Sequence, residues 1–142
     1  MQVTAQWVNG VCFLGQTESG HSIVLDGAIE GGGQNRGARP LELLLLGTLG
    51  CSSYDVVTIL QKQRQKIVDC YATATAKRAD TIPKVFTDIH LHFVVIGQDL
   101  SETSVAKAVE LSAQKYCSAS IMLSKAVNIT HSFEVKEPEN NK

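Results

Sequence analysis

Residues 39–60 read RPLELLLLGTLGCSSYDVVTIL, and the reading of this stretch decides the fold. Pro40 suits the first turn of a helix, where its missing N–H has no intrahelical partner in any case, and no further proline follows until Pro83. Leu41, Leu43, Leu44, Leu45, Leu46 and Leu49 cover nearly every direction around such a helix. A helix that is apolar all round is normally buried on all sides, so this one is expected at the centre of the molecule. After Leu60 the text changes to QKQRQK, which predicts solvated last turns. At about 1.5 Å per residue the whole helix spans about 35 to 40 Å.

Cys51 sits near its middle. Positions 47, 50, 51 and 54 share one side, because residues three and four apart are neighbours on a helix. Gly47 and Gly50 therefore flank the thiol. Glycine costs about 1 kcal/mol against alanine in a helix interior, so the two glycines predict that a strand, a second subunit or a ligand approaches the backbone here. Cys51 itself admits two readings, a small buried hydrophobe beside packing glycines or a thiol with chemistry to do.

Composition narrows the classes. With 142 residues the chain is expected to form a single domain, 1–142, with a core large enough to need no staples. A hydrophobic content of 44% argues against disorder, and a formal charge of -1 offers no basic field for nucleic acid. Glu42 and Asp55 interrupt the long apolar helix, which points to a core helix rather than a membrane span. The opening MQVTAQWVNG lacks the basic and apolar regions of a secretory signal, so a cytoplasmic location with reduced thiols is expected. Cys12, Cys51, Cys70 and Cys117 show no CxxC pair and no zinc-finger spacing, which argues against a structural metal or a disulfide framework. Any chemistry then comes from individual thiols.

Outward from the helix, Gln2 to Leu14 and His21 to Leu25 predict two or three antiparallel strands joined by tight turns at Asn9-Gly10 and Glu18 to His21. Gly27 to Ala38, GAIEGGGQNRGA, is a glycine-rich loop without the GxxxxGK[ST] pattern of a phosphate cradle, and reads as a lid or connector. Ile67 to Lys77 alternates and pairs with Val85 to Ile96 as a hairpin. His90 and His92, at i and i+2 on that second strand, invite a metal reading, but no third ligand stands near them in sequence and solvated or packing histidines are expected. Ser101 with Glu102 predicts a helix start, the helix running to about Tyr116. KYCSASIML then predicts a second short helix with Cys117 at its start, where free N–H groups favour a thiolate. Val127 to Val135 is a last strand, and 136–142 a frayed tail.

Two cysteines thus stand out, one inside a helix that opens RPxEL and one at a KYCS helix start. Together with Trp7 to Gly10, Ser19 to His21, Leu25 to Gly27, Pro40 to Val56, Leu91 to Gly97 and Lys115 to Leu123, this text resembles the OsmC/Ohr family, the osmotically inducible and organic hydroperoxide resistance proteins. The resemblance extends over nearly the whole chain. It implies an α+β, OsmC-like fold, with antiparallel sheets packed around the long central helix in an intertwined homodimer. It implies further that Cys51 reacts with a hydroperoxide and Cys117 resolves the product to a disulfide, which an external dithiol reduces. No metal and no bound cofactor is implied.

Two departures alter the expected activation apparatus. The hydroperoxide-resistance branch holds a thiolate-stabilising arginine, from an early strand, with a glutamate directly after the helix-starting proline. Here Leu41 takes that glutamate's place and no arginine precedes Arg36. Arg36 and Arg39 are the positive groups close enough in sequence to substitute, with Glu42 one position along as a possible partner. Asp55, one turn after Cys51, opposes thiolate formation if it faces the site. The alternative to a peroxidase is therefore a small-ligand-binding or redox-sensing dimer of the same fold.

Overall fold

The computed structural model describes residues 1–139 and is a mixed α+β structure of two three-stranded sheets and a long helix. The chain divides into two compact units, Met1–Leu45 and Leu46–Lys142.

In the first unit, β1 (Val3–Asn9), β2 (Cys12–Thr17) and β3 (Ser22–Leu25) form an antiparallel meander in that order. The Asn9-Gly10 turn works because Gly10 adopts a left-handed φ of 51°, which costs glycine nothing. Cys12 is buried, whereas β1 is exposed along its whole length, with Val3 70% and Trp7 64% accessible. The glycine-rich segment that follows is a compact loop tied to Asp26. Its carboxylate accepts from the backbone N–H groups of Gly27, Gln34 and Arg36 at 2.8, 3.1 and 3.0 Å. These bonds, that from Arg36 foremost, hold Asp26 below the usual carboxylate range. The loop also explains its glycines: a Cβ on Gly33 would overlap the carbonyl oxygen of Gly27. The loop packs on itself at Gly33, while Gly32 is needed for its left-handed φ of 84°.

The long helix α1 is Pro40–Lys62, with Pro40 in its first turn as the sequence predicts. Glu42 reaches back to accept from the Arg39 backbone N–H at 2.9 Å, the reciprocal half of a capping box.

In the second unit, β4 (Lys66–Arg78) and β5 (Phe86–Gln98) form the long antiparallel hairpin. The chain then runs through α2 (Glu102–Leu111), a π-helical turn (Ser112–Tyr116) and α3 (Ser118–Leu123) before β6 (Asn128–Lys136). This crossover returns β6 parallel to β5, so the second sheet is mixed rather than wholly antiparallel. Ser101 caps α2, accepting from the Ser104 N–H at 3.2 Å. The single helix expected to reach Tyr116 instead ends at Leu111, where the backbone widens into the π turn. Lys136, expected to open a frayed tail, is the last residue of β6; residues 137–139 have no regular structure, and the rest of that tail lies outside the described residues.

The core of this unit is Ile89, Leu91, Phe93 and Val95 on one face of β5, Val105, Ala108 and Val109 from α2, and Val56 and Leu60 from α1. Here α1 departs from expectation. It buries one stripe, Thr48, Ser52, Val56 and Leu60, each one turn from the next, while Leu44 and Leu46 stay 49% and 58% accessible. Nor does anything approach Gly47 or Gly50, since a Cβ at either would meet open space. The helix thus leaves apolar side chains open at Leu44 and Leu46. By length and mean hydropathy, 1.6, it is also long and apolar enough to cross a membrane, and 22% of that window is buried.

Candidate active site

Cys117 follows the π turn and is the N-cap of α3. Its own N–H donates to the Ser112 carbonyl at 2.9 Å, which fixes the bend, and π turns of this kind are frequent where a helix must re-aim a side chain. The side chain is fully buried. The Sγ accepts from Ser52 Oγ at 3.0 Å and from the Ser120 N–H at 3.3 Å, and stands 4.0 Å from the Thr48 carbonyl oxygen. Cys117 is therefore held against α1 by two of the polar residues in that helix's buried stripe.

Cys51 is half-buried on the same helix, and all four cysteines are free thiols. Cys51 Sγ, Cys117 Sγ and a carboxylate oxygen of Asp55 lie within 4.8 Å of one another. The spacing of Cys51 and Asp55 brings this about, because i and i+4 are stacked on a helix surface. Asp55 is steadied by Ser112, whose Oγ lies 3.5 Å from Asp55 Oδ2 and 3.2 Å from the Ser52 carbonyl oxygen. Cys51 and Cys117 are 66 positions apart in the sequence, and the fold sets their thiols side by side.

Electrostatics at this cluster run against the expected thiolate at a helix start. Burial pushes the Cys117 thiol up, opposed by the hydrogen bonds from Ser52 and Ser120 and reinforced by Cys51. A helix of six residues contributes too little field to reverse this. Burial also pushes the Asp55 carboxyl up, against its hydrogen bond from Ser112. Beside the cluster is a hollow of about 460 Å³ lined by Tyr54, Asp55, Ile59, Leu111 and Tyr116 among others. Asp55 belongs to both. A slightly larger hollow, about 520 Å³, belongs to the first unit, around Met1, Val3 and Glu18, and holds no thiol.

The remaining candidates are placed as follows. Arg36 and Arg39 lie in the first unit: Arg36 donates to Asn9 Oδ1 at 3.0 Å and contacts Gln34 Oε1, while Arg39 donates to Asn35 Oδ1 at 3.0 Å and stands 4.0 Å from Glu42. Glu42 caps its own helix. His90 and His92 lie on β5 and bond to hydroxyls of β6, His90 to Thr130 and Ser132 at 2.7 and 2.8 Å and His92 to Ser132 at 2.8 Å. Cys70, half-buried on β4, is pushed up by burial and by Asp69 beside it. Ser112 reads in the sequence as a position on the inner stripe of α2 and Ser120 as a cap of the short helix, but the sequence assigns neither them nor Ser52 to the site. Ser52 leaves its trace there as a polar residue at the i+4 spacing of a stripe that ends in Val56 and Leu60.

Comparison with known proteins agrees with this architecture. Residues 32–132 match the OsmC-like protein family. The chain is 50% identical to protein YhfA of Escherichia coli strain K12 over 135 residues, 95% of this chain and 98% of that one. A hypothetical protein from Aquifex aeolicus VF5 superposes with a TM-score of 0.85 at 33% identity, covering 97% of each chain. At 19% identity, a likeness of fold alone, an organic hydroperoxide resistance protein OsmC from Legionella pneumophila superposes with a TM-score of 0.72 over 94% of this chain and 97% of that one. The chain belongs to the OsmC-like family.

Proposed function

We propose that the protein is a thiol-dependent peroxidase that reduces organic or other hydroperoxides through Cys51 and Cys117. The observation that carries this is the approach of the two sulfur atoms to within 4.8 Å. Cys51, the more accessible of the two, loses its proton to solvent and attacks the terminal oxygen of the hydroperoxide as a thiolate; the O–O bond breaks, the alkoxide leaves and takes up a proton from solvent as the alcohol, and Cys51 becomes a sulfenic acid. Cys117 then attacks that sulfur, an S–S bond forms, the S–O bond breaks and water leaves. An external dithiol returns the pair to thiols by exchange, so no bound cofactor enters the cycle. The hollow bounded by Tyr54, Ile59, Leu111 and Tyr116 suits the organic part of such a substrate. Arg36 and Arg39 are proposed as the cations that favour the thiolate.

The second reading, a binding or redox-sensing protein of the same fold, is favoured by one feature. A carboxyl, that of Asp55, lies within 4.8 Å of both sulfurs and disfavours an anion beside it. Both readings share a homodimer. Its support is the apolar surface that one chain leaves open, along β1 and along α1 at Leu44 and Leu46.

Rapid mixing of reduced protein with an organic hydroperoxide separates them. Cys51→Ser is expected to abolish peroxide consumption, and Cys117→Ser to allow a single turnover that leaves a sulfenic acid on Cys51. Neutralising Arg36 and Arg39 together is expected to slow the wild-type reaction. Consumption by Cys51→Ser at the parental rate excludes the peroxidase.

A further inference from the structure

The cluster of Cys51, Asp55 and Cys117 has the composition of a metal chelate as well as of a redox pair. Two thiol sulfurs and a carboxylate oxygen stand within 4.8 Å of one another. Among the described residues their hydrogen-bond partners include Ser52, Ser112, Ser120 and the Thr48 carbonyl, which are neutral. Three groups that become anions by losing protons are thus gathered against neutral partners, an arrangement that a cation among them relieves.

We propose that in the reduced protein these three residues bind a thiophilic divalent cation, zinc first among them, through both sulfurs and one Asp55 oxygen. Zinc takes thiolate at about 2.3 Å and carboxylate at about 2.0–2.2 Å in a tetrahedron, which sets donor atoms about 3.5–3.8 Å apart. The three atoms need to close by about 1 Å for that, within the reach of side-chain rotation by Cys51 and Asp55, one helical turn apart. The fourth position is left to a water on the side of the hollow that Asp55 lines. Ser52 on Cys117 and Ser112 on Asp55 hold two of the ligands from behind, as the outer partners of metal ligands do. Magnesium and calcium prefer six or more oxygen donors and are poorly served by two sulfurs. Binding releases the two thiol protons to solvent, so a 2+ ion meets two thiolates and one carboxylate. Zinc capture needs only reduced thiols and does not rest on the peroxidase reading. A bound ion engages both sulfurs and withholds them from oxidants.

The test uses full-length protein, reduced, freed of metal with a chelator and kept anaerobic. Titration with Co²⁺ is expected to saturate at one ion per chain, with thiolate charge-transfer absorption and the intense visible bands of a tetrahedral site, and one equivalent of Zn²⁺ is expected to abolish both. Mg²⁺ in excess is expected to leave them unchanged. Competition against a chromophoric chelator is expected to show Zn²⁺ affinity reduced at least about tenfold by Asp55→Asn, and by more than about 100-fold by Cys51→Ser. Cys117 is fully buried, so the decision rests on these two variants, both at half-buried helix positions and both checked by circular dichroism. Equal Zn²⁺ affinity in Cys51→Ser and the wild type overturns the assignment, as does a weak, octahedral Co²⁺ spectrum without charge transfer.

Discussion

At the scale of single residues, Asp55 carries the widest consequences. A carboxyl oxygen within 4.8 Å of both sulfurs disfavours the anion that peroxide chemistry needs, and it is the same group that a cation would recruit. The two roles predict effects of opposite sign. In metal-free buffer near neutral pH, Asp55→Asn is expected to speed the reaction of Cys51 with an organic hydroperoxide by about tenfold, equivalent to about 1.4 kcal/mol of thiolate stabilisation. Rapid-mixing rates check it, and a slower variant would mean that Asp55 assists the chemistry instead. That Asp55 could matter was legible from its i+4 spacing to Cys51. That Cys117 meets Ser52 was not, because 65 positions separate them and only the packed crossover brings them together.

Among the elements, those with strong periodicity were the ones the sequence made plain. Alternation in β4 and β5, the Asn9-Gly10 turn, the cap at Ser101 and the proline start of α1 each rest on a local rule, and each is found where the rule puts it. The π turn at Ser112–Tyr116 and the parallel placement of β6 escape local rules. The first comes from tertiary packing around Cys117, the second from the length of the crossover that precedes the strand. β6 also carries a titration. His131 is half-buried, stacked on Phe93 with ring centroids 6.4 Å apart, and its Nε2 has no hydrogen-bond partner among the described residues. Burial, with His90 adding to it, holds this imidazole below its ordinary 6.5. The unfolded chain therefore binds this proton first as pH falls, so the contribution to stability is whole above 6.5 and is lost as pH drops through the lower folded value. Asp26 and Asp88 are also held low, but from a starting value of 3.8, so their loss belongs to more acid solution. Denaturant unfolding at a series of pH values is expected to show a decline below 6.5 in the wild type that is reduced in His131→Phe. Equal slopes in the two proteins would assign the decline elsewhere.

Across the whole molecule, the expected burial of α1 on all sides is absent from a single chain, and the two flanking glycines face open space. The sequence marks the surface as apolar but does not say whose surface covers it, because hydrophobic pattern carries no information on chain identity. A second copy is the proposed cover, and Leu46, 58% accessible in the single chain, is a direct probe. Leu46→Glu is expected to shift sedimentation from dimer toward monomer while far-UV circular dichroism persists; a wild type that sediments as a folded monomer at micromolar concentration contradicts the dimer. The account as a whole turns on one bond. Reduced, metal-free wild type is treated with one equivalent of organic hydroperoxide per chain, quenched with an alkylating agent, digested and its peptides weighed. A single new species, the Cys51 peptide joined to the Cys117 peptide with Cys12 and Cys70 alkylated, is the predicted result, whereas Cys51 and Cys117 recovered unlinked after the peroxide is consumed would contradict it.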